Sequence, residues 1–598
     1  METQTITNKE TVSKVTERIS GSEAIVRCLI AEDIKIIYGY PGGAIMPVYD
    51  ELYKYQDKIH HVLARHEQGA THAAQGFARI SGEVGVAIAT SGPGATNLVT
   101  GIADAQIDST PMVCITGQVA SHLLGSDAFQ ETDIVGISTP VTKWNCQVTK
   151  AADIPAALAK AFYIAKSGRP GPVLVDITKD AQFEEFDFSY EKCTKIRSYV
   201  PIPKTVVGTI EAAAKIINAA KKPLIVWGQG IVLSKAEEQF KALVEKAGIP
   251  AAWTILGASA LPTSHPLNVG MLGMHGNYAP NKLTNECDVL IAIGMRFDDR
   301  VTGRLSDFAP AAKKIQIDID RSSINKNVFV DIPLVGDAAN VLEAFLAVWK
   351  KRKSTTNKKA IENWWEQIER WRKVDCLKYE NSQSTIKPQY ALQRLHELTK
   401  DLDVYFTTEV GQHQMWAAQF LRFDEPRRWM TSGGLGTMGY GFPAAMGVQI
   451  AHPKSLVIDV AGEASFLMNM QELSTVTQYR LPVKVFIMNN EYMGMVRQWQ
   501  GLLHGERYSQ SWSESLPDFV KLAEAFGAKG ILCSDPSDLD DAIMQMLNHN
   551  GPVIFDCLVD QEENCFPMIP SGKPHNQMLL GPKDQEENKI TGKGKALV

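Results

Sequence analysis

Two strand-like runs in the last third of the chain end in residues that offer oxygen to a cation. "LVIDVAGEASF", Leu456 to Phe466, stops at Gly462 with Glu463 directly after it, and "VKVFIMNNEYMGM" ends its apolar run on Asn489 and Asn490. A carboxylate and an amide carbonyl brought together by adjacent strand ends suit a hard divalent cation such as magnesium, with phosphate oxygens and water completing an octahedron. Gly462 and Ala464 would let a phosphate approach closely. The same residue types also cap helices that start at strand ends, so the pair alone leaves both readings open. A second acid, Glu67, stands among small residues in "RHEQGATHAAQGFAR". Taken alone it reads as an acid favoured by the positive end of a helix.

Those residues need strands and helices to hold them. At 598 residues the chain is too long for one core, and length favours roughly three to five domains. From about Gly21 to Asp180, runs such as "VGVAIAT", "PMVCITG" and "GPVLVDI" alternate with amphipathic stretches, the pattern of a parallel sheet covered by helices. "KPLIVWGQG", "DVLIAIGMRFDD" and "KIQIDID" mark a second such unit; "DVYFTTEVG", "SLVIDVAGE", "VKVFIMNN" and "PVIFDCLV" mark a third. The polar segment Phe183 to Lys204 reads as a linker, and Trp349 to Lys373, with its mixed charges, as a solvated interdomain helix. The expected class is α/β, with three doubly wound parallel-sheet domains. Open parallel sheets bind ligands beyond the carboxyl ends of their strands, where the residues above stand.

Composition narrows the partners. A formal net charge of -6 gives no reason to expect nucleic acid, and no apolar run approaches the 18 or so residues that cross a bilayer. The N-terminal segment lacks a secretory core and carries Glu2, Glu10 and Glu17. Nine dispersed cysteines, none in a CxxC, suit reduced thiols in the cytoplasm.

A Gly-acid-Ala element followed about 27 residues later by Asn-Asn resembles the metal-diphosphate motif of thiamine-diphosphate enzymes. The resemblance implies magnesium held by Glu463, Asn490 and the main-chain carbonyl of Tyr492. The family's usual acid is Asp, so Glu463 is a departure; its extra methylene shifts the carboxylate by ~1 Å, and retained metal binding is expected because charge and ligand type survive. In the same family Glu67 would hydrogen-bond the aminopyrimidine ring, making the neighbouring amino group a base beside a very weakly acidic carbon. "GGLGTMGYG" resembles the segment that gives a carbonyl acceptor, Gly436, and an apolar wedge under the bent coenzyme, Met438. "EVGQHQMW" matches the diphosphate grip, Val410, Gly411, Gln412 and His413, with Gly462 and Ala464 beside it.

The ordered set "YGYPGGAIMPVYD", "RHEQGA", "SGPGATN", "GSDAFQE", "GRPGPVLVDITKD", "MLGMHG", "RFDDRVTG" and "GMVRQWQ" is similar to the large catalytic subunits of acetohydroxyacid synthases, from about residue 20 to 585. The resemblance implies decarboxylation of pyruvate and its condensation with pyruvate or 2-ketobutyrate, early in valine, leucine and isoleucine synthesis. Arg300 would bind the second ketoacid's carboxylate, although it could instead pair with Asp298 or Asp299. Trp499 would favour the longer ketoacid, Phe129, Gln130, Lys179, Met495 and Val496 would complete the channel, and Gly43 would face the thiazolium. The middle unit would bind FAD through Arg169, Gly228, Gly230, Thr254, Met274, His275, Gly294, Arg296, Asp298, Asp318 and Asp337. The implied layout is a flexible N-terminus (1–20), a pyrimidine-binding domain (21–185), a central FAD-binding domain (205–348), a linker helix (349–385), a diphosphate- and metal-binding domain (386–565) and a tail over the active site (566–598). Sites formed between two subunits make a homodimer the minimum unit, a homotetramer a further form and a small regulatory subunit a partner. Ala120 stands where the family usually has Pro, which bears on inhibitor sensitivity. The alternatives are pyruvate oxidase, the FAD-free acetolactate synthase, a non-catalytic nucleotide-binding scaffold in which Glu463 spoils the metal site, or a nicotinamide dehydrogenase, which the lack of a GxGxxG after a strand disfavours.

Overall fold

Runs of β-branched and apolar residues with no polar alternation become strands buried on both faces, as parallel sheets require. The computed structural model describes residues 17–352 and 356–585 and shows three six-stranded parallel sheets. Every run read as a strand is one: for example Gly85–Ala89 and Met112–Gln118 in the first domain, Pro223–Trp227 and Val289–Ile293 in the second, Leu456–Ala461 and Lys484–Asn489 in the third. Counting each domain's strands along the chain, the first and third sheets share the order 2-1-3-4-6-5, whereas the central sheet runs 3-2-1-4-5-6. The order reverses between Ile36–Gly39 and Gly85–Ala89, between Pro223–Trp227 and Val289–Ile293, and between Val404–Thr408 and Leu456–Ala461. At such reversals the loops diverge and leave a crevice.

The first and third domains share a core. The helix Glu67–Ser81 crosses Gly441–Ala451, and both are lined with Ala and Gly where they meet. A Cβ on Gly76 would fall 2.1 Å from the Ala444 carbonyl oxygen, and one on Gly447 would fall 1.9 Å from that of Ala73. Only bare backbone fits this crossing.

Three expectations need correction. Residues 17–20 are not a loose end: Glu17–Ser20 pairs antiparallel with Glu185–Phe188, which places a strand inside the segment read as a linker. Residues 1–16 lie outside the described residues. The single solvated helix expected from Trp349 is instead two helices, Ala338–Arg352 and Lys358–Arg372. They face the central domain, burying Trp349, Trp364 and Ile368, and Trp364 Nε1 donates to the Pro223 carbonyl at 3.1 Å. The described part of the tail also packs on that domain: Ile569 N donates to Met274 O at 2.7 Å, and His575 lies 2.9 Å from Val301 O. No helix among the described residues is long and apolar enough to cross a membrane.

Candidate active site

The adjacent parallel strands Leu456–Ala461 and Lys484–Asn489 deliver Glu463 and Asn490 to one edge of the third sheet. Glu463 is 1% exposed, and among the described residues its Oε1 has no hydrogen-bond partner. Burial pushes its carboxyl up to about 8; the charges of Asp556 and Glu491 add to this, while its own and Asn490's backbone N–H groups oppose it. This acid lacks a counter-charge. Asn490 Nδ2 donates to Gln412 Oε1 at 3.3 Å, and its Oδ1 accepts from Tyr492 N at 3.1 Å. Gln412 is locked by donating to Gln498 Oε1 at 2.8 Å and Glu563 O at 3.1 Å.

Beside this edge burial lowers His413 to about 3, so its ring is neutral, and its Nε2 is buried without a partner among the described residues. A Cβ on Gly411 or Gly462 would fall 2.7 or 2.8 Å from that ring, so both backbones lie against it. Ala464 is half-buried on the same turn. A neutral imidazole and two unshielded backbones fit an anion, and the unpartnered carboxylate oxygen fits a cation. Among the described residues no three His, Cys, Asp or Glu side chains cluster as a metal cage. A lone acid with amide and carbonyl oxygens fits a cation that arrives with a diphosphate.

A cleft of about 880 Å³ opens beyond. Its third-domain wall carries Val410, Gly411, Gly436, Met438, Met495 and Trp499. Its central-domain wall carries every residue proposed above for FAD, with Arg169 reaching in from the first domain, and Arg300 opens on the same space. The floor is the sheet reversal. Gly228 N and Gly230 N donate to Ile293 O and Gly294 O at 3.0 and 2.9 Å, and Gly294 has φ +58°. A Cβ on Gly230 would fall 2.5 Å from the Cα of Gly294, so the crossing is backbone against backbone. Met274 N donates to Arg300 O at 2.8 Å, Thr254 N to Trp227 O at 3.0 Å, and Asp337 accepts from Asn340 N at 3.3 Å. Burial raises Asp318 to about 6 and lowers His275 to about 4, while Asp298, raised by burial, lies 3.9 Å from Arg296 and caps Asp299–Thr302. Arg300 pairs with Asp299 at 2.9 Å, and both side chains are more than half exposed. Such a pair is weak and leaves the guanidinium available.

Other expected residues do not line that cleft. Glu67 heads its helix, 7% exposed, and accepts from Asn97 Nδ2 at 2.9 Å. Gly43 is exposed with open space where a Cβ would be, Lys179 is exposed, Gln130 has φ +62°, and Phe129 and Val496 are 88% and 45% exposed. A single chain therefore gathers the Glu463–Asn490 edge and a cleft lined by central- and third-domain residues with Arg169, while Glu67, Gly43, Phe129, Gln130, Lys179 and Val496 are not among that lining.

Some supporting groups were not read from sequence. Glu472 of the third domain accepts from Arg65 N and His66 N at 2.9 and 3.0 Å, bracing the backbone just before Glu67. Glu409 accepts from Gly439 N and Phe442 N at 2.6 and 3.1 Å and lies by Asp459. Asp459, an acid inside "LVIDVAG", was the available signal, because a charge within a buried strand needs partners.

Residues 19–137, 210–345 and 409–557 match, in turn, the N-terminal TPP binding, central and C-terminal TPP binding domains of thiamine pyrophosphate enzymes. The chain is 45% identical over 577 residues to the acetolactate synthase large subunit of Haemophilus influenzae, covering 96% of this chain and 100% of that one. The chain belongs to the acetolactate synthase large-subunit family. It is also 47% identical over 569 residues to the isozyme 3 large subunit of Escherichia coli, covering 94% and 99%. With the Porphyra purpurea acetolactate synthase large subunit it shares 46% over 575 residues, covering 94% and 97%. Membership in this thiamine-dependent family accounts for the two like-ordered outer sheets with a differently ordered sheet between them.

Proposed function

We propose that this chain is an acetolactate synthase that joins two pyruvates, or pyruvate and 2-ketobutyrate, releasing carbon dioxide and giving 2-acetolactate or 2-aceto-2-hydroxybutyrate. The observation that carries the reading, given the family, is the buried, unpartnered Glu463 oxygen set beside Asn490, Gln412 and the His413 cradle. Glu463, Asn490 and the Tyr492 carbonyl would hold magnesium; Val410 to His413, Gly462 and Ala464 would grip the diphosphate. Thiamine diphosphate, when bound, supplies a carbon nucleophile and an electron sink for the decarboxylation.

This chain's residues then divide the remaining work. Glu67 would hold a proton toward the pyrimidine ring nitrogen, with Asn97 and the Glu472-braced backbone keeping its carboxyl in place. Met438 would supply apolar bulk to the coenzyme site, with Gly436 and Met495 alongside. Arg300 offers a planar, two-pronged cation to the second ketoacid's carboxylate, and Trp499 walls the pocket for its alkyl group, where one methylene is worth ~1–3 kcal/mol. Val496 would line the channel on the same helix as Met495 and Trp499, and Gly43, Phe129, Gln130 and Lys179 would close it from a second chain's side. FAD would fill the central cleft; the net reaction moves no electrons, so its role there is structural. A homodimer or homotetramer, a small regulatory subunit and a cytoplasmic setting accompany this reading through the family resemblance.

Purified chain with pyruvate, thiamine diphosphate, magnesium and FAD should form acetolactate, and the protein should carry a flavin absorbance. Folded protein that binds the cofactors and forms no product would overturn the assignment in favour of a scaffold.

A further inference from the structure

The turn Ile107–Ser109, at the end of the helix Val99–Ile107, touches both walls of the cleft. On one side Asp108 is buried and saturated. Its Oδ2 accepts from Gly433 N at 2.9 Å and Arg79 Nη2 at 2.8 Å, and its Oδ1 accepts from Gly434 N at 2.8 Å. One helical turn earlier, Asp104 accepts from Ser432 Oγ and, at 2.9 Å, from Thr437 Oγ1. First-domain side chains thus hold the glycine-rich loop that leads into Met438. On the other side, Arg169 donates through Nη2 to Ile107 O at 3.1 Å and through Nε to Ser109 Oγ at 2.8 Å, while its Nη1 reaches Asp320 of the central domain at 3.2 Å. The spacing leaves no slack. A Cβ on Gly434 would fall 2.0 Å from Ile107 Cγ2 and 2.9 Å from Arg296 Nη2, so three domains converge on one glycine. Ser109 itself has φ +58°, a backbone state that a non-glycine residue keeps only when its surroundings impose it.

We propose that Ile107–Ser109 is a positioning element shared by two ligand sites, through which a flavin dinucleotide engaging Arg169 and thiamine diphosphate engaging the Met438 loop strengthen each other's binding. This rests on the cofactor assignment above. Because the spacing leaves no slack, a ligand that sets the position of Arg169 sets that of the turn, and Asp108 carries the same setting to Gly433 and Gly434. The second ligand then meets a loop already in the position it binds. The coupling gives a flavin a task in a reaction without net electron transfer, and it must be reciprocal.

Calorimetric titration of the flavin-free, magnesium-loaded full chain with thiamine diphosphate, with and without saturating FAD, tests this. The expected result is a Kd at least about five-fold lower with FAD present, and the same factor when the order of addition is reversed. Ser109→Ala, which removes only the hydroxyl that Arg169 meets, should bind both cofactors with the factor reduced towards one. Asp108→Asn, shown folded by its melting transition, should behave alike. Binding of both cofactors by the wild type without mutual effect would overturn the inference alone. So would Ser109→Ala keeping the full factor, since the two ligands would then be coupling by touching each other. Failure to bind any flavin would overturn the inference and the cofactor assignment together.

Discussion

Glu463 and Glu67 are both buried carboxyls, yet their surroundings ask opposite things of them. Among the described residues nothing donates to Oε1 of Glu463, so its charge suits an incoming cation. Glu463→Gln keeps the shape and removes that charge. The magnesium concentration for half-maximal activity should rise ten-fold or more, a loss of at least ~1.4 kcal/mol. Glu463→Asp, which shortens the arm but keeps the charge, should stay within ten-fold of wild type. An unchanged requirement in Glu463→Gln would remove this residue from the metal site. Glu67 is held at its carboxylate by Asn97, and the backbone of Arg65 and His66 just before it is held by Glu472. Glu67→Gln retains size and one acceptor but cannot move a proton. Its kcat should fall by roughly 10²–10⁴ with little change in thiamine diphosphate Kd, as steady-state kinetics and a binding titration would show. A Kd that weakens in step with kcat would make Glu67 a binding residue.

At the scale of elements, the crossing of Glu67–Ser81 with Gly441–Ala451 fixes how the first domain meets the third. In a free helix Gly→Ala gains up to ~1 kcal/mol. At Gly447 the new Cβ would stand 1.9 Å from backbone, which cannot swing aside as a side chain can. Overpacking costs ~1–3 kcal/mol, so Gly447→Ala should be a net loss of about 1 kcal/mol or more, read as a lower denaturation midpoint; a gain would mean the helices separate freely. The long strands were legible because burial on both faces leaves an unbroken apolar run. Glu17–Ser20 and Glu185–Phe188 were not, since four residues with exposed acids look like loop until they find each other across the domain. The same holds for Ala251–Trp253 and Trp429–Thr431, too short to show a period. In the site, residues that directly follow strands could be picked out by position. The braces could not: Glu472, Asp104 and Asp108 act on partners supplied by another domain, and only the i, i+4 acids in "GIADAQIDS" hinted at a shared face.

Across the whole molecule the buried titratable groups pull stability in two directions, and pH separates them. Burial lowers His61, His275 and His575 to about 4 and His72 and His413 to about 3. For these the unfolded chain takes up protons that the folded chain refuses, so stability rises as pH climbs through about 6.5 and levels off near 7.5. Burial raises Asp176 and Asp556 to about 6 and Glu409 and Glu472 to about 7. For these the folded chain keeps protons that the unfolded chain has released; their contribution is complete below about 4 and is lost as pH rises through the folded value. Up to about 7.5 the two sets oppose each other, because the unfolded histidines are still giving up protons as pH passes 6.5. Between about 6.5 and 7.5 the proton release from folded Glu409, Glu472 and Glu463, the last raised to about 8, outweighs theirs. The cofactor-free chain should therefore melt a few degrees lower at pH of about 7.5 than at about 6.5, since each kcal/mol shifts a domain of this size by ~2–4 °C. Melts at matched ionic strength would show it. A higher transition at the more alkaline pH would mean that these carboxyls ionise without penalty in the fold, and that the carboxylates bracing Glu67 and the Gly439 loop are fully charged under working conditions.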